Sequence, residues 1–489
     1  MKALLRLFLL LSLGSVSLPA ADYNAEEIRT LRQQLAQQRA QIDQLRSRLD
    51  EQGKLLDRLA QAVPASVQPV VAAVAQGKSA PAADAPSVGG FKFSGDFRLR
   101  LDSITRTGND VAPPVQNVRG RYRLRLNIDK DLDPRFRFHM QLSTGPLNNP
   151  GTADQEMGGI TARHPFSIAE AYVDFRPNSK LTLRGGRAAE VFADSMRFLW
   201  DDDQRFNGFS QTMALPLARN TLGFTSVEFR AGEYILSNPA VYILPAASPY
   251  VSAGYQAGQK VRGADLFHPG VAVKGNLGSR WTQQIIGGVE LYRNPNQIQL
   301  ASTAAGFPVL VSGTLGLTLS GPLPGTGNAT TTPGGAIYAA PSFHISHLGY
   351  RLERKALKVG AKEMPAWLDF QVLRNHGAAS LRDAFMASAN LGNVVKRADI
   401  RALYQFSIKD ANSMISQFTD DNLGTGSGVN IATHAIRFDL GLTRFLQWQN
   451  ILFIQNQRRA SNPSEQFFVP LGRGANATHR YQSQLAFTF

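Results

Sequence analysis

The sequence predicts an all-β transmembrane antiparallel barrel of about sixteen strands, preceded by a short α-helical coiled coil. Three observations predict it. From Phe91 onward, apolar and polar residues alternate with a period of two, in segments of about 9 to 13 residues. The connections between these segments are alternately short and long. The last segment, HRYQSQLAFTF, keeps the alternation up to Phe489.

The N-terminal part reads differently. MKALLRLFLLLSLGSVSLPAAD has Lys2 and Arg6, an apolar stretch from Leu7 to Leu13, and small residues at Ala20 and Ala21. That is the layout of a secretory signal peptide, expected over 1–21. Leu18 or Pro19 occupies the small-residue position, so the cleavage site departs from the pattern. The alternative is an uncleaved anchor, for which the apolar stretch is short. Over 22–63, Ile28, Leu35, Ile42, Leu49, Leu56 and Val63 recur every seven residues. Leu31, Gln38, Leu45, Gln52 and Leu59 fill the second seam position. This is a coiled-coil pattern, and self-association would bury its stripe. Docking onto the chain's own barrel or another periplasmic surface would bury it too. Pro64 ends the helix, and 64–90 reads as a flexible Ala/Pro/Gly linker.

The barrel is expected over 91–489. Phe91, Phe93, Phe97, Leu99 and Leu101 share one face, with Lys92, Ser94, Asp96, Arg98, Arg100 and Asp102 on the other. Tyr122, Leu124, Leu126 and Ile128 oppose Arg121, Arg123, Arg125, Asn127 and Asp129. Phe136, Phe138, Met140 and Leu142 oppose Arg135, Arg137, His139, Gln141 and Ser143. The segments at 400–408 and 436–442 repeat the pattern. A soluble sandwich also alternates, so alternation alone does not choose. The loop asymmetry does. DLDPR, RPNSK, PLARN, NLGSR and GNVVKR are tight connections, whereas 144–164, 187–205, 236–268 and 294–335 are long. The pattern is least regular over 336–375. In hydrocarbon a strand backbone can satisfy its hydrogen bonds only in a closed wall, so the apolar face meets lipid and the arginines meet water. About sixteen strands leave an aqueous channel rather than a filled core.

Several stretches resemble the putative-porin family of Gram-negative outer membranes. They are SGDFRLRL at 94–101, RYRLRL at 121–126, AEAYVDFRPNSKLTLRGGR with LWDDDQRFNGFS over 169–210, and DANSMISQFTDDNLG at 410–424. A terminal Phe such as Phe489 is what outer-membrane barrels present to the barrel-assembly machinery. The Gly/Thr-rich stretch 296–335 departs from the family. The resemblance implies a passive outer-membrane channel and leaves the solute open.

The formal net charge is +15. Lys2 and Arg6 carry two of these charges, and 21–90 balances eight basic against eight acidic residues, leaving thirteen for the barrel region. Export argues against a nucleic-acid partner. Arg98, Arg100, Arg121, Arg123, Arg125, Arg135 and Arg137 come from three consecutive strands about 4.8 Å apart, so they are expected to form one basic patch on the inner wall. Such a patch favours small anionic solutes, carboxylates and phosphates above all. The alternative is pairing with Asp96, Asp102, Asp129, Glu170 and Asp174 on the same wall. Asp201, Asp202 and Asp203 lie, by parity, on the third long connection. In general porins such a loop folds inward, and these carboxylates would then face the arginines across a constriction. A plain solvated loop and a Ca²⁺ site are the alternatives, although the spaced ligand loop of a dedicated calcium site is missing.

No cofactor is expected. Cysteine is absent, which removes disulfides and thiolate ligands. No GxSxG and no HExxH occurs. His344 and His347 are three apart, which puts them on opposite faces of a strand, and His139 falls on the arginine face. A barrel-borne hydrolase is therefore the minor reading. A third is an envelope tether whose coil contacts peptidoglycan. Outer-membrane lipid, lipopolysaccharide and two further copies of the chain, as a homotrimer, are the expected neighbours.

Overall fold

The computed structural model describes residues 87–489 except 108–113, 147–150, 159–162, 238–262, 297, 299–327, 330–337, 361, 421, 423–427 and 459–476. The signal peptide, the coiled coil and nearly all of the linker lie outside the described residues.

Among the described residues, sixteen strands form one closed antiparallel barrel. They are β1 (Phe91–Arg106), β2 (Val115–Asp131), β3 (Phe136–Thr144), β4 (Phe166–Phe175), β5 (Leu181–Ala188), β6 (Phe206–Thr221), β7 (Phe224–Ser237) and β8 (Ala264–Leu277). The second half is β9 (Trp281–Arg293), β10 (His344–Val359), β11 (Lys362–Asn375), β12 (Asp383–Gly392), β13 (Ile400–Lys409), β14 (Ile431–Gly441), β15 (Leu446–Gln457) and β16 (Thr478–Thr488). Two-residue extended pieces, Ser87–Val88 and Gln155–Glu156, add to β1 and β2. Each strand pairs with its neighbours in sequence, and β16 closes on β1 from His479↔Thr105 to Thr488↔Asp96. At the seam the Gly95 N–H donates to the Phe489 carbonyl (2.8 Å), and the Phe489 N–H donates to the Gly95 carbonyl (3.1 Å).

The period-two reading of the faces holds. On β1, Arg98, Arg100 and Asp102 are buried while Leu101 is 49% exposed. Phe209 is 71% exposed and Phe370 43%, with Tyr404, Ile436, Phe438 and Trp448 exposed around the same outer belt. Large apolar side chains outside and ionic ones inside invert the order of a water-soluble core. The arrangement is stable when the outer solvent is lipid.

One end carries short turns made by local side-chain caps. Asp133 Oδ1 accepts from the Arg135 and Phe136 N–H groups (2.6 and 2.8 Å). Asn178 Oδ1 accepts from Lys180 and Leu181 (2.9 and 3.0 Å), and Thr443 Oγ1 accepts from Phe445 and Leu446 (both 3.0 Å). Two expectations need correction here. Arg135 lies in the Asp133 turn, exposed, and does not line the inner wall, because the turn cap ends the strand alternation before Phe136. The turn expected at PLARN falls instead at Leu222 and Gly223, with φ of 53° and 84°, and β6 runs on to Thr221. Positive φ at both central residues matches the twist of a two-residue hairpin, and glycine adopts it without strain. The irregular zone resolves into β10 and β11, joined at Gly360. β8 begins inside the stretch 236–268 expected to be loop.

The interior is not uniformly polar. Toward the long connections, Phe206, Tyr234, Leu266, Ile345, Trp367 and Met386 point inward and are buried against Phe198, Trp200 and Phe418 from two inward-folded connections. Trp200, Phe206 and Phe418 form an aromatic triangle with centroids 5.1, 5.4 and 6.3 Å apart. A loop bearing only charges would remain in water. Burying each large apolar side chain contributes about 1.5–3 kcal/mol, which gives these connections a reason to fold inward.

Candidate functional site

The charged wall is built by β1, β2 and β16. Register places Arg98 opposite Arg123, Arg100 opposite Arg121, Asp102 opposite Arg119 and Asp96 opposite Arg125. Two of these four cross-strand pairs are like-charged, which is destabilising without a counter-ion. The connection between β3 and β4 supplies one. Asp154 accepts from Arg98 Nη2 and from Arg100 Nη1, both at 2.5 Å, and lies 3.5 Å from Arg121. Asp96 pairs with Arg123 (2.8 Å) and Arg125 (2.7 Å). Asp102 receives Arg480 of β16 (2.9 Å) and Arg119 (3.0 Å). Arg137 stands apart with Asp129 (2.7 Å), which His139 also contacts (2.9 Å).

The acidic connection between β5 and β6 folds against this wall. Asp203 lies 3.7 Å from both Arg123 and Arg125, and its Oδ2 accepts from the Ala153 N–H (2.9 Å). That bond ties the two inward connections together beside the arginines. Asp201 and Asp202 do not face the wall. Asp202 pairs with Arg197 (2.6 Å), which also reaches Asp420 (3.4 Å). The Asp201 N–H donates to the Phe418 carbonyl (2.9 Å), joining the described residues 410–420 of a third inward connection. Carboxylate oxygens of Asp201, Asp202 and Asp420 lie within 4.8 Å of one another, with Arg197 bridging two of them. Asp194 starts the loop's tight bend: its Oδ1 accepts from Met196 (2.9 Å) and Arg197 (3.1 Å), and Gln371 of β11 donates to its Oδ2 (2.7 Å).

Burial alone would raise the Asp154 carboxyl, but Arg98, Arg100, Arg121 and Arg123 outweigh it and hold it well below the usual carboxylate range. Burial likewise acts to raise Asp203, and Arg123, Arg125 and Arg98 with the Ala153 amide outweigh it and hold the carboxyl below its ordinary value. Asp194 goes the other way: burial dominates and raises it.

Of the residues singled out in the sequence, Arg98, Arg100, Arg121, Arg123, Arg125 and Asp203 meet in one network. Arg137 joins Asp129, Asp201 and Asp202 turn to another partner, and Arg135 is outside. Asp96, Asp102 and Asp129 do pair with the arginines, whereas Glu170 pairs with Arg205 (2.5 Å) and Asp174 with Arg184 (2.7 Å). Sequence reasoning missed Asp154, Arg119 and Arg480. Asp154 sits in a long connection without periodicity, where only folding brings it to the wall. Arg119 and Arg480 were legible by parity: Arg119 lies two residues before Arg121, and Arg480 falls on the face opposite Tyr481 in HRYQSQLAFTF.

Fold and interior define a transmembrane-type β-barrel with a charged inner wall and inward-folded loops. Residues 104–242 match the family model described as "Putative porin", in line with the resemblance of the strand and loop sequences. Three solved structures are similar in fold. The high-pH structure of Pseudomonas putida OprB shares 9% identity over 82% of this chain and 94% of its own, with a TM-score of 0.46. The anion-selective porin from Comamonas acidovorans shares 10% over 82% and 99%, with a TM-score of 0.42. The outer-membrane channel DcaP of Acinetobacter baumannii shares 9% over 82% and 99%, with a TM-score of 0.41. No curated protein matches the sequence.

Proposed function

We propose that the chain is an outer-membrane porin, a passive diffusion channel for small hydrophilic solutes with a leaning to anions. The inverted distribution of side chains carries the reading: an exposed apolar belt around a closed wall, and buried ionic groups within it. The match of 104–242 to a porin family supports it.

The anion leaning rests on the wall network. Seven guanidiniums (Arg98, Arg100, Arg119, Arg121, Arg123, Arg125 and Arg480) share five carboxylates (Asp96, Asp102, Asp154, Glu156 and Asp203). The excess is two positive charges, smaller than seven arginines alone would give. In this reading the described residues 151–158 and the connection 189–205, which meet at Ala153 and Asp203, narrow the aperture beside it. A homotrimer in lipopolysaccharide-containing membrane, assembled through the terminal strand and joined to a periplasmic coiled coil, completes the reading.

Single-channel recording across a salt gradient is the test. Stepwise ohmic conductance with an anion-leaning reversal potential is expected. Correctly folded barrel without conductance would overturn the channel, and a reversal potential at zero or on the cation side would remove the anion leaning.

A further inference from the structure

The connection that bears Asp203 begins on a buried polar cluster unrelated to the arginine wall. Glu190 and Phe192 of its first turn pack onto β7, β8, β9 and β10, and both are buried, as are His268 of β8 and His347 of β10. His268 Nδ1–H donates to Glu190 Oε1 (3.0 Å), and Glu190 Oε2 accepts from the Phe192 N–H (2.5 Å). The Phe192 ring stacks on His268 at 4.2 Å and meets His347 edge-on at 5.3 Å. The two imidazoles face each other, Nε2 to Nε2, at 2.7 Å. Gly288 of β9 makes that possible, since a Cβ there would meet His347 Nε2 at 2.7 Å and His268 Nε2 at 3.0 Å.

A nitrogen–nitrogen contact of that length needs one donor and one acceptor. One bridging proton satisfies it. A second proton leaves two N–H donors and two positive rings facing each other with no acceptor between them.

The other charged or titratable groups around the pair are few. β9 presents Glu290, held by Tyr292 (2.9 Å). β7 presents Tyr234, whose hydroxyl accepts from the Val191 N–H (2.9 Å), and Arg230, which donates to the Val191 carbonyl (3.1 Å) and pairs with Glu228 (2.5 Å). None of these can serve as the missing acceptor between the two Nε2 atoms without the rings moving apart.

We propose that His268 and His347 form a proton-operated latch on the first turn of the 189–205 connection, and that acidification releases this turn into the lumen and lowers conductance. The proposal rests on the channel reading. Lipid lies behind the wall, so a turn expelled from the histidines moves inward. The Asp201 backbone bond to Phe418 and the Asp203 contacts with Arg123, Arg125 and the Ala153 amide keep the rest of the loop seated.

The experiment titrates single-channel conductance of the full barrel from about pH 7.5 to about pH 2.5, a range wide enough to add the second proton to the pair. A several-fold fall in conductance is expected for the wild type. His347→Gln keeps a side-chain oxygen to accept from His268 and takes up no proton, so its conductance stays flat. Heat-modifiable gel migration checks that each barrel is folded. Wild-type conductance that stays flat, or an unchanged transition in His347→Gln, overturns the latch. A readout independent of conductance uses Trp200, whose ring lies 6.1 Å from His268. Its emission, taken as the difference from Trp200→Phe, changes over the same pH range in the wild type and not in His347→Gln. If folded barrel shows no conductance, the channel reading fails, and this fluorescence alone decides the latch: a pH-independent signal rejects it.

Discussion

Arg98 of β1 and Arg123 of β2 stand directly opposite each other on the inner wall. Two facing guanidiniums on neighbouring strands are tolerated because two folded-in loops bring carboxylates to them. Asp154 answers Arg98, and Asp203 lies beside Arg123. Ion pairs of this kind owe little to attraction alone, since desolvation offsets much of it. Removing one partner is the costly step.

Asp154→Asn removes the negative charge that Arg98, Arg100 and Arg121 share. Breaking a buried pair costs about 3–5 kcal/mol. The midpoint of heat-modifiable unfolding falls accordingly, and the reversal potential shifts toward anions. Unchanged stability and selectivity would show that Asp154 is not the counter-ion of this wall.

Asp203→Asn moves selectivity toward anions with a smaller loss of stability, because Asp96 still holds Arg123 and Arg125. Neutralising Asp202 perturbs Arg197 instead and leaves the reversal potential near the wild-type value. Measuring both variants in one salt gradient separates the wall carboxylate from the loop carboxylate. Equal effects would contradict the geometry.

Acid stability follows from the same carboxylates. Asp154 and Asp203 are held below their unfolded values, so their contribution is complete above about pH 4 and is lost only as pH falls through the depressed folded values. Loop contacts at the arginine wall therefore survive acidification from about pH 7 to about pH 4. Spin labels on cysteines placed at Ala153 and Gln204 report this, with the same inter-label distance at both ends of that range. A longer distance appearing above about pH 4 would contradict the sign of these shifts.

The two faces of the wall predict opposite tolerance. Phe370→Lys puts an ammonium into the outer belt at a cost of about 2–4 kcal/mol near the midplane. Asn127→Lys, on the inner face of β2, costs far less. Folded yield in lipid vesicles ranks them, and equal yields would refute the assignment of faces.

Closure is tested at the seam. A Cβ at Gly95 would meet the Phe489 ring (2.7 Å) and the Arg125 carbonyl. Gly95→Val is expected to abolish the compact, heat-modifiable form, whereas Ser94→Val, next to it, keeps that form. A compact Gly95→Val barrel would mean that the β16–β1 seam is not formed as described.

The fold was legible from Phe91 onward because strand alternation is local. Each lipid-facing Leu or Phe is next in sequence to an inward polar group, so any short window reports the face. The turn at Leu222–Gly223 and the exposed position of Arg135 were less legible, since turn placement depends on which residues take positive φ or cap a backbone amide. The apolar seat under Trp200 was not legible at all. Phe206, Tyr234 and Leu266 follow the alternation, but which solvent their face meets depends on loops that fold back over it.

The sequence by itself determined the strand period, the approximate strand number and the inward ladder of arginines, because these depend on neighbours one or two residues away. Only the tertiary structure decided how much of that positive charge is neutralised. Asp154 reaches Arg98 across 56 residues and Arg480 reaches Asp102 across 378, distances that loop folding and barrel closure span and that no local pattern encodes.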